Sequence, residues 1–414
     1  MRFFYNIGIR LYGFSIFIAS FFNAKAAKWR MGRKDIFQKL QQAIGSSDKP
    51  IAWFHCASLG EFEQGRPVIE TFRKQFPHYK ILLTFFSPSG YEVRRDYKEA
   101  DYIFYLPLDT PANAKRFIVI VKPALVIFVK YEFWFNYLNE LHNRKIPAFL
   151  ISAKFRKDQH FFKSMGAWFR KSLHFYNTLF VQDEGSEILL KSIGVNNIIV
   201  CGDTRFDRVI NIAQQPFSDA VLEVFKKHNP LWVCGSTWEE DEKLILPVLE
   251  KLIQSGQKIK LLIAPHDVSE IRIKNIQSNY PDSIRYSQAT GDTNANILII
   301  DKIGLLSYLY RYGDVAYVGG GFGKGIHNLT EASVYGIPVV FGPNHKRFIE
   351  AEELLKRGGG FSISTAEELN TIITKLLTDT HYRQTSGDSG ASYILSGKGA
   401  TEKIIAELEE LIKT

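Results

Sequence analysis

Cysteine is scarce in this chain. Its 414 residues hold three, Cys56, Cys201 and Cys234, far apart and without CxxC spacing. An odd, scattered set excludes a disulfide framework and fits a reducing, cytoplasmic surrounding. There is no HExxH motif, no Cys/His cluster at zinc spacing and no Asp-x-Asp pair, so a bound metal is not expected. Repeat arrays and low-complexity tracts are absent too, which excludes solenoids and disordered linkers. Beyond residue 22 no apolar run is long enough to span a bilayer, which takes about 20 residues. Acidic residues are outnumbered, 43 against 52 basic, for a net charge of +9. A basic excess suits an anionic partner, whether nucleic acid, an acidic membrane face or a phosphorylated substrate. Composition alone does not choose among them.

The apolar material is ordinary in amount, 45% of residues, enough for sizeable cores in two domains. The N-terminal stretch Phe3–Phe22 is strongly apolar and aromatic but is interrupted by Asn6, Gly8 and Arg10. Lys25, Lys28, Arg30, Arg33 and Lys34 follow. Such a basic flank stays on the cytoplasmic side of a membrane, and Trp29 suits the headgroup level. The segment is expected to be a membrane-anchor helix, spanning or lying in the interface. A cleaved signal peptide and an ordinary buried helix are the competing readings.

From Ile51 onward, short β-branched runs alternate with helical-period segments. The expected strands are Ile51–Cys56, Lys80–Phe85, Tyr102–Tyr105, Ala124–Phe128, Ala148–Ile151, Thr178–Val181 and Ile198–Val200. After a polar stretch, Asp207–Asn229, a second series follows: Leu231–Cys234, Lys258–Ala264, Ile297–Ile300, Val315–Val318 and Pro338–Phe341. Helices are expected between them and at Thr401–Lys413. The alternation predicts an α/β chain of two Rossmann-like doubly wound domains. The expected division is 1–34 for the anchor and basic flank, 35–215 for the first domain and 216–414 for the second, with the last helix able to pack back on the first. In such folds ligands bind beyond the carboxyl ends of the strands.

Five motifs sit at those ends. Ser58-Leu59-Gly60-Glu61 follows the first strand. Glu61 either merely complements the helix dipole or is a general base able to take a proton from an acceptor hydroxyl. Ser87-Pro88-Ser89-Gly90 reads as a capped turn or as an anion nest with Arg94 and Arg95 nearby. Lys130-Tyr131-Glu132-Phe133-Trp134 puts charge at another strand end. Gly235-Ser236-Thr237-Trp238 opens the second domain as a simple helix cap or an anion pocket of N–H groups and hydroxyls. The fifth, Gly319-Gly320-Gly321-Phe322-Gly323-Lys324-Gly325-Ile326-His327-Asn328-Leu329-Thr330-Glu331, matches neither a Walker A loop nor GxGxxG. Its glycines permit close approach to a phosphate. The spacing puts His327 and Glu331 on one face of a helix start, one for phosphate and the other for sugar hydroxyls.

Taken in order, these motifs resemble the Kdo (3-deoxy-D-manno-octulosonic acid) transferases of lipopolysaccharide synthesis. The likeness also takes in Tyr105-Leu106-Pro107-Leu108-Asp109, Glu132-Phe133-Trp134 with Asn136, Gly202-Asp203-Thr204-Arg205-Phe206-Asp207, and Ile337-Pro338-Val339 with Gly342-Pro343. The resemblance implies a GT-B type glycosyltransferase at the cytoplasmic side of the inner membrane. Its donor would be CMP-Kdo, held by Arg205, Gly235, Ser236, Thr237, Gly320, Lys324, His327, Asn328 and Glu331. Its acceptor would be a phosphorylated lipid A precursor, held by Ser58, Gly60, Ser87, Ser89, Arg94 and Glu132. Glu61 matches the family's general base, and Arg205 a basic position that is usually Lys. The missing Asp-x-Asp argues for metal-independent transfer without a cofactor, and no nucleic-acid partner is implied. The chain departs from the family at His266-Asp267 after Pro265, where Arg-His is frequent, at Lys130, where Glu is common, at Phe135 before Asn136, and in a shorter glycine loop. Two other readings stand beside this one: another two-domain glycosyltransferase using a UDP-sugar on a lipid acceptor, and a non-catalytic nucleotide-sugar or lipid-A-binding module.

Overall fold

The structure is a computed structural model, and it describes residues 2–45, 48–163, 166–289 and 294–413. The apolar runs after Ile51 are strands β1 (Ile51–Cys56), β2 (Lys80–Phe85), β3 (Tyr102–Tyr105), β4 (Pro123–Val129), β5 (Ala148–Ala153), β6 (Thr178–Val181) and β7 (Ile198–Val200). They form one sheet in the order β3-β2-β1-β4-β5-β6-β7, and every pairing is parallel. All six residues of β1 are buried, as expected of a strand covered by crossover helices on both faces. Successive side chains feed opposite layers: Trp53, Leu82, Val126 and Phe128 pack in one core, and Ala52, Phe54, Leu83 and Ile127 in the other.

The second series repeats the plan. Strands β8 (Leu231–Thr237), β9 (Lys260–Pro265), β10 (Ser283–Arg285), β11 (Ile297–Ile299), β12 (Val315–Val318), β13 (Val339–Phe341) and β14 (Gly360–Ser362) take the order β10-β11-β9-β8-β12-β13-β14. They too are parallel throughout. The short edge strands β10 and β14 were not among the expected ones. In each sheet the order reverses between two central strands, β1 and β4 in the first and β8 and β12 in the second. That reversal opens a crevice where ligands of open α/β sheets bind.

The chain divides into two compact units, 1–207 with 399–414, and 208–398. The division lies eight residues before the expected one, inside the helix Thr204–Gln214. The last helix, Ala400–Lys413, belongs to the first unit, where Ile404, Ile405 and Leu408 join the core under β1 and β2. Asp207 fixes its start by accepting from the Gly399 and Thr401 N–H groups, at 2.7 and 2.6 Å.

At the other end, helix Arg2–Ala19 has no fully buried residue. Phe3, Phe4, Leu11, Phe14, Phe21 and Phe22 in and after it are each at least 59% exposed. One side of the helix is nevertheless fastened. The Tyr5 hydroxyl donates to Asp109 at 2.6 Å, and the Asn136 amide donates to the Asn6 side-chain oxygen at 2.9 Å. Tyr12 stacks on Phe86. The chain then bends by 120° into Ala24–Gly32. Among the described residues no single helix is long and apolar enough to cross a membrane; the bent pair qualifies by length and composition only. Helix Ile36–Ile44 is structural, burying Ile36, Leu40 and Ile44 in the first core.

Candidate active site

In the first unit the loops after β1, β2 and β4 adjoin one another because those strands are neighbours in the sheet. Ser58 caps helix Leu59–Gln75, yet its hydroxyl donates to the Glu61 carboxylate and not to the backbone. Glu61 is half-buried in the first turn of that helix. A Cβ on Gly60 would meet Ser58 Oγ at 3.7 Å, an ordinary contact, so packing does not require glycine there. Cys56, at the end of β1, is no competing nucleophile. Burial pushes its thiol well up, and the Glu61 and Glu132 carboxylates push the same way.

The other residues expected on this side divide. Ser87 caps helix Pro88–Arg94, its Oγ accepting from the Ser89 N–H at 3.3 Å and lying 3.1 Å from Ser89 Oγ. Ser89 is exposed. Gly90 serves packing, since a Cβ there would lie 2.3 Å from the Phe85 ring. Arg94 is committed to Glu63 at 2.7 Å and lies over the Phe62 ring. Glu132, expected to meet the acceptor, is turned inward and 5% exposed. Its carboxylate lies 3.0 Å from His55 Nε2 and accepts from the Trp134 indole. His55 Nδ1 in turn meets Thr84 Oγ1 at 2.8 Å. Glu132 therefore holds the loop after β4, which begins at Lys130 with φ 72°. A charge at a strand end cannot be told from the sequence to point in or out, and here two polar partners, His55 and Trp134, decide it. Arg205 forks onto Asp203, with Nη2–Oδ2 at 2.7 Å. Thr204, part of the same motif, ties this segment down: its buried hydroxyl donates to the Gln64 carbonyl at 2.6 Å.

In the second unit the loops after β8 and β12 press on each other. Ser236 has φ 54°, and the ladder between β8 and β9 shifts register there, a bulge that turns Ser236 out of the strand. Thr237 is buried, and its hydroxyl donates to Glu242 at 2.8 Å. The glycines are required mainly by backbone crowding. A Cβ on Gly235 would meet Tyr310 at 2.0 Å, one on Gly319 the Ser236 carbonyl at 2.4 Å, and one on Gly321 the Gly342 Cα at 2.6 Å. Gly320 additionally needs φ 90°. The organising group is Asp241, which the sequence reading passed over. It is 1% exposed and accepts from the Trp238 and Gly320 N–H groups, both at 2.9 Å, and from the Tyr317 hydroxyl at 2.8 Å. Its signal was the acidic run Glu239–Glu242 at a helix start. Lys324 is exposed at the loop tip.

The expected helix carrying both His327 and Glu331 is not formed. The helix is only Thr330–Ser333, and His327 and Asn328 precede it. Asn328 stops extension backward: its Oδ1 accepts from the Thr330 N–H and hydroxyl at 3.2 and 2.7 Å, the local bond by which Asn outcompetes helix. Its amide also donates to Glu331 at 3.0 Å. Burial raises the Glu331 carboxyl, opposed by the Arg208 charge and by Asn328.

His327 sits in a stack of three rings from three strand ends. Trp238 and His266 lie 4.7 Å apart, and His266 and His327 4.5 Å apart, with interplanar angles of 26° and 21°. The Trp238 indole N–H donates to His327 Nε2 at 3.1 Å, which assigns the ring proton to Nδ1. Burial, with His266 adding, pushes the His327 imidazolium down to about 4. His327 is therefore neutral near pH 7 and has one N–H, not two, for a phosphate. His266, where the chain departs from the family, is part of this platform.

Residues 30–208 match the family model described as 3-deoxy-D-manno-octulosonic-acid transferase (kdotransferase). The Haemophilus influenzae 3-deoxy-D-manno-octulosonic acid transferase is 25% identical over 87% of this chain and 87% of its own. The Aquifex aeolicus enzyme of the same name is 28% identical over 80% of this chain and 87% of its own. Among solved structures, the Neisseria meningitidis UDP-GlcNAc 2-epimerase bound to UDP-GlcNAc superposes with a TM-score of 0.59 at 19% identity, over 88% of this chain and all of that one. That likeness concerns the fold, two Rossmann-like domains of the GT-B type.

Proposed function

From a chain that resembles the Kdo transferases over most of its length, with their family domain at residues 30–208, we propose that this protein transfers Kdo from CMP-Kdo to a hydroxyl of a phosphorylated lipid A precursor. The acceptor and the cytoplasmic face of the inner membrane are part of the proposal, as are inversion and independence of metal. The observation that carries it is Glu61, half-buried in the first turn of the helix after β1 and hydrogen-bonded by Ser58.

In this reading Glu61 takes the proton of the acceptor hydroxyl as that oxygen attacks the anomeric carbon of Kdo. The bond to the phosphate oxygen breaks, and CMP leaves with the electron pair. Attack opposite the leaving group inverts the centre. Charge grows on the departing phosphate, and preorganised donors stabilise such charge most effectively. Lys324 and the Nδ1–H of His327 supply them, while the N–H groups of Gly319, Gly320, Gly323 and Gly325 are spent on holding the loop itself. Ser87 and Ser89 contribute hydroxyls toward the acceptor. The absence of Asp-x-Asp leaves the phosphate to these protein groups.

Membrane attachment is the remaining part. The exposed aromatic side of helix Arg2–Ala19 and the basic residues after it suit a helix lying in the interface. Calorimetric titration of the full chain with CMP and with UDP tests the donor assignment. CMP should bind and UDP should not; tighter binding of UDP would favour a UDP-sugar donor and overturn the proposal.

A further inference from the structure

One cavity lies apart from the five strand-end motifs. It occupies about 680 Å³ of the first unit, between the N-terminal helices and the segment after β3. Four guanidinium groups line it: Arg10, Arg30, Arg33 and Arg116. Asp35 is the one carboxylate among the lining residues. Three of the four arginines are held by rings or carbonyls. Arg30 lies over Phe17 at 4.5 Å, and Arg116 over Phe37 at 4.5 Å. Arg33 donates to the carbonyls of Leu106 at 2.9 Å, Phe86 at 2.8 Å and Trp29 at 3.1 Å. Burial pushes Arg33 down to about 9, so its charge is desolvated without a carboxylate to compensate. A desolvated charge of this kind is costly until an opposite charge arrives. Gln38 and Asn113 add polar groups to the wall, and Phe17, Ile36, Phe37 and Leu108 give it apolar surface. Phe17 also belongs to the helix whose outer side exposes Phe14 and Leu11.

An anion site with an apolar wall, opening beside an exposed aromatic face, fits one class of ligand: an anionic amphiphile. We propose that this cavity binds a single anionic glycerophospholipid of the bilayer, its phosphate among the four arginines and an acyl chain along Phe17 and Leu108. The lipid locks the bent pair of N-terminal helices onto the first unit. This deepens the membrane part of the proposed function and rests on it. A phosphorylated acceptor shares the phosphate chemistry, and the test separates the two.

The full chain is titrated with dihexanoyl phosphatidylglycerol below its micelle concentration, with dihexanoyl phosphatidylcholine, and with the deacylated phosphorylated disaccharide of the acceptor. Phosphatidylglycerol should bind saturably at one per chain and phosphatidylcholine should not. Arg30→Gln and Arg116→Gln should each weaken binding about tenfold or more, as loss of a charge-assisted hydrogen bond does; Arg10→Gln replaces either if it melts early. Equal binding of phosphatidylcholine, or affinity unmoved by these variants, overturns the proposal. So does displacement of the lipid by the deacylated disaccharide, which would give the cavity to the acceptor. Transfer to that soluble disaccharide is measured in parallel. Lipid binding without transfer would sink the proposed function alone; transfer without lipid binding would sink this inference alone.

Discussion

Each unit uses its own crevice, and the two do so in opposite ways. After β1 and β4 of the first unit, side chains carry the arrangement: Ser58 on Glu61, and His55 and Trp134 on Glu132. After β8 and β12 of the second unit, backbone carries it. Glycines let two loops interpenetrate, and one buried carboxylate, Asp241, gathers their N–H groups. A proton acceptor needs a placed carboxylate, whereas a leaving phosphate needs many weak donors fixed in advance. Topology supplies the place, and the residues after each strand decide which task the place serves.

The comparison breaks first at Glu61. Glu61→Gln should lower turnover about 10²–10⁴-fold, the usual contribution of a general base, with CMP affinity unchanged by calorimetry; near-normal turnover would remove the distinction between the units. Next is Asp241→Ala, which leaves three donors unmatched in a buried site. It should destabilise the second unit by about 3 kcal/mol in denaturant unfolding and loosen CMP binding, and unchanged stability would show that the glycines alone set the loops. His327→Ala should weaken CMP binding about tenfold, the worth of one hydrogen bond to a charged group, without weakening acceptor binding. If only acceptor binding falls, the roles of the units are reversed.

A smaller effect concerns pH. His327 titrates near 4 in the fold against an ordinary 6.5. Between those values the unfolded chain binds more protons, so the second unit loses stability as pH falls from about 6.5 to 4. Asp109 in the first unit is the reverse case. Burial pushes it up to about 6, against the hydrogen bonds from Tyr5 and the Asn136 and Tyr137 N–H groups. There the folded state holds the extra proton, and the contribution weakens as pH rises from about 3.8 to 6. An NMR titration should find His327 below its ordinary range, with His266→Ala moving it up. An unshifted His327 would dissolve the ring stack as an electrostatic unit. The smallest expected effect is that of EDTA, none; inhibition reversed by magnesium or manganese would contradict protein groups as the phosphate's only partners.

The parallel strands were legible because buried strands write short, mostly apolar runs, as in Ile51–Cys56 and Leu231–Cys234. The three-residue edges β10 and β14 were not, since Ser283–Arg285 and Gly360–Ser362 lack such a run. Motif positions were legible, but side-chain directions were not. Glu132 points inward because His55, on β1 and three strands earlier in the chain, waits there. The turn before Thr330 hid in Asn328, whose bonds to Thr330 outweigh the spacing of His327 and Glu331. At the N-terminus the apolar face was visible, while the attachment through Tyr5 and Asn6 depends on Asp109 and Asn136, more than 100 residues on.

The most direct measurement incubates the full chain with CMP-Kdo and the lipid A precursor, without added metal, and follows the lipid by mass spectrometry. The account predicts a gain of one or more Kdo residues, lost in Glu61→Gln. A lipid left unchanged by the wild-type chain, or modified equally by the variant, would contradict it.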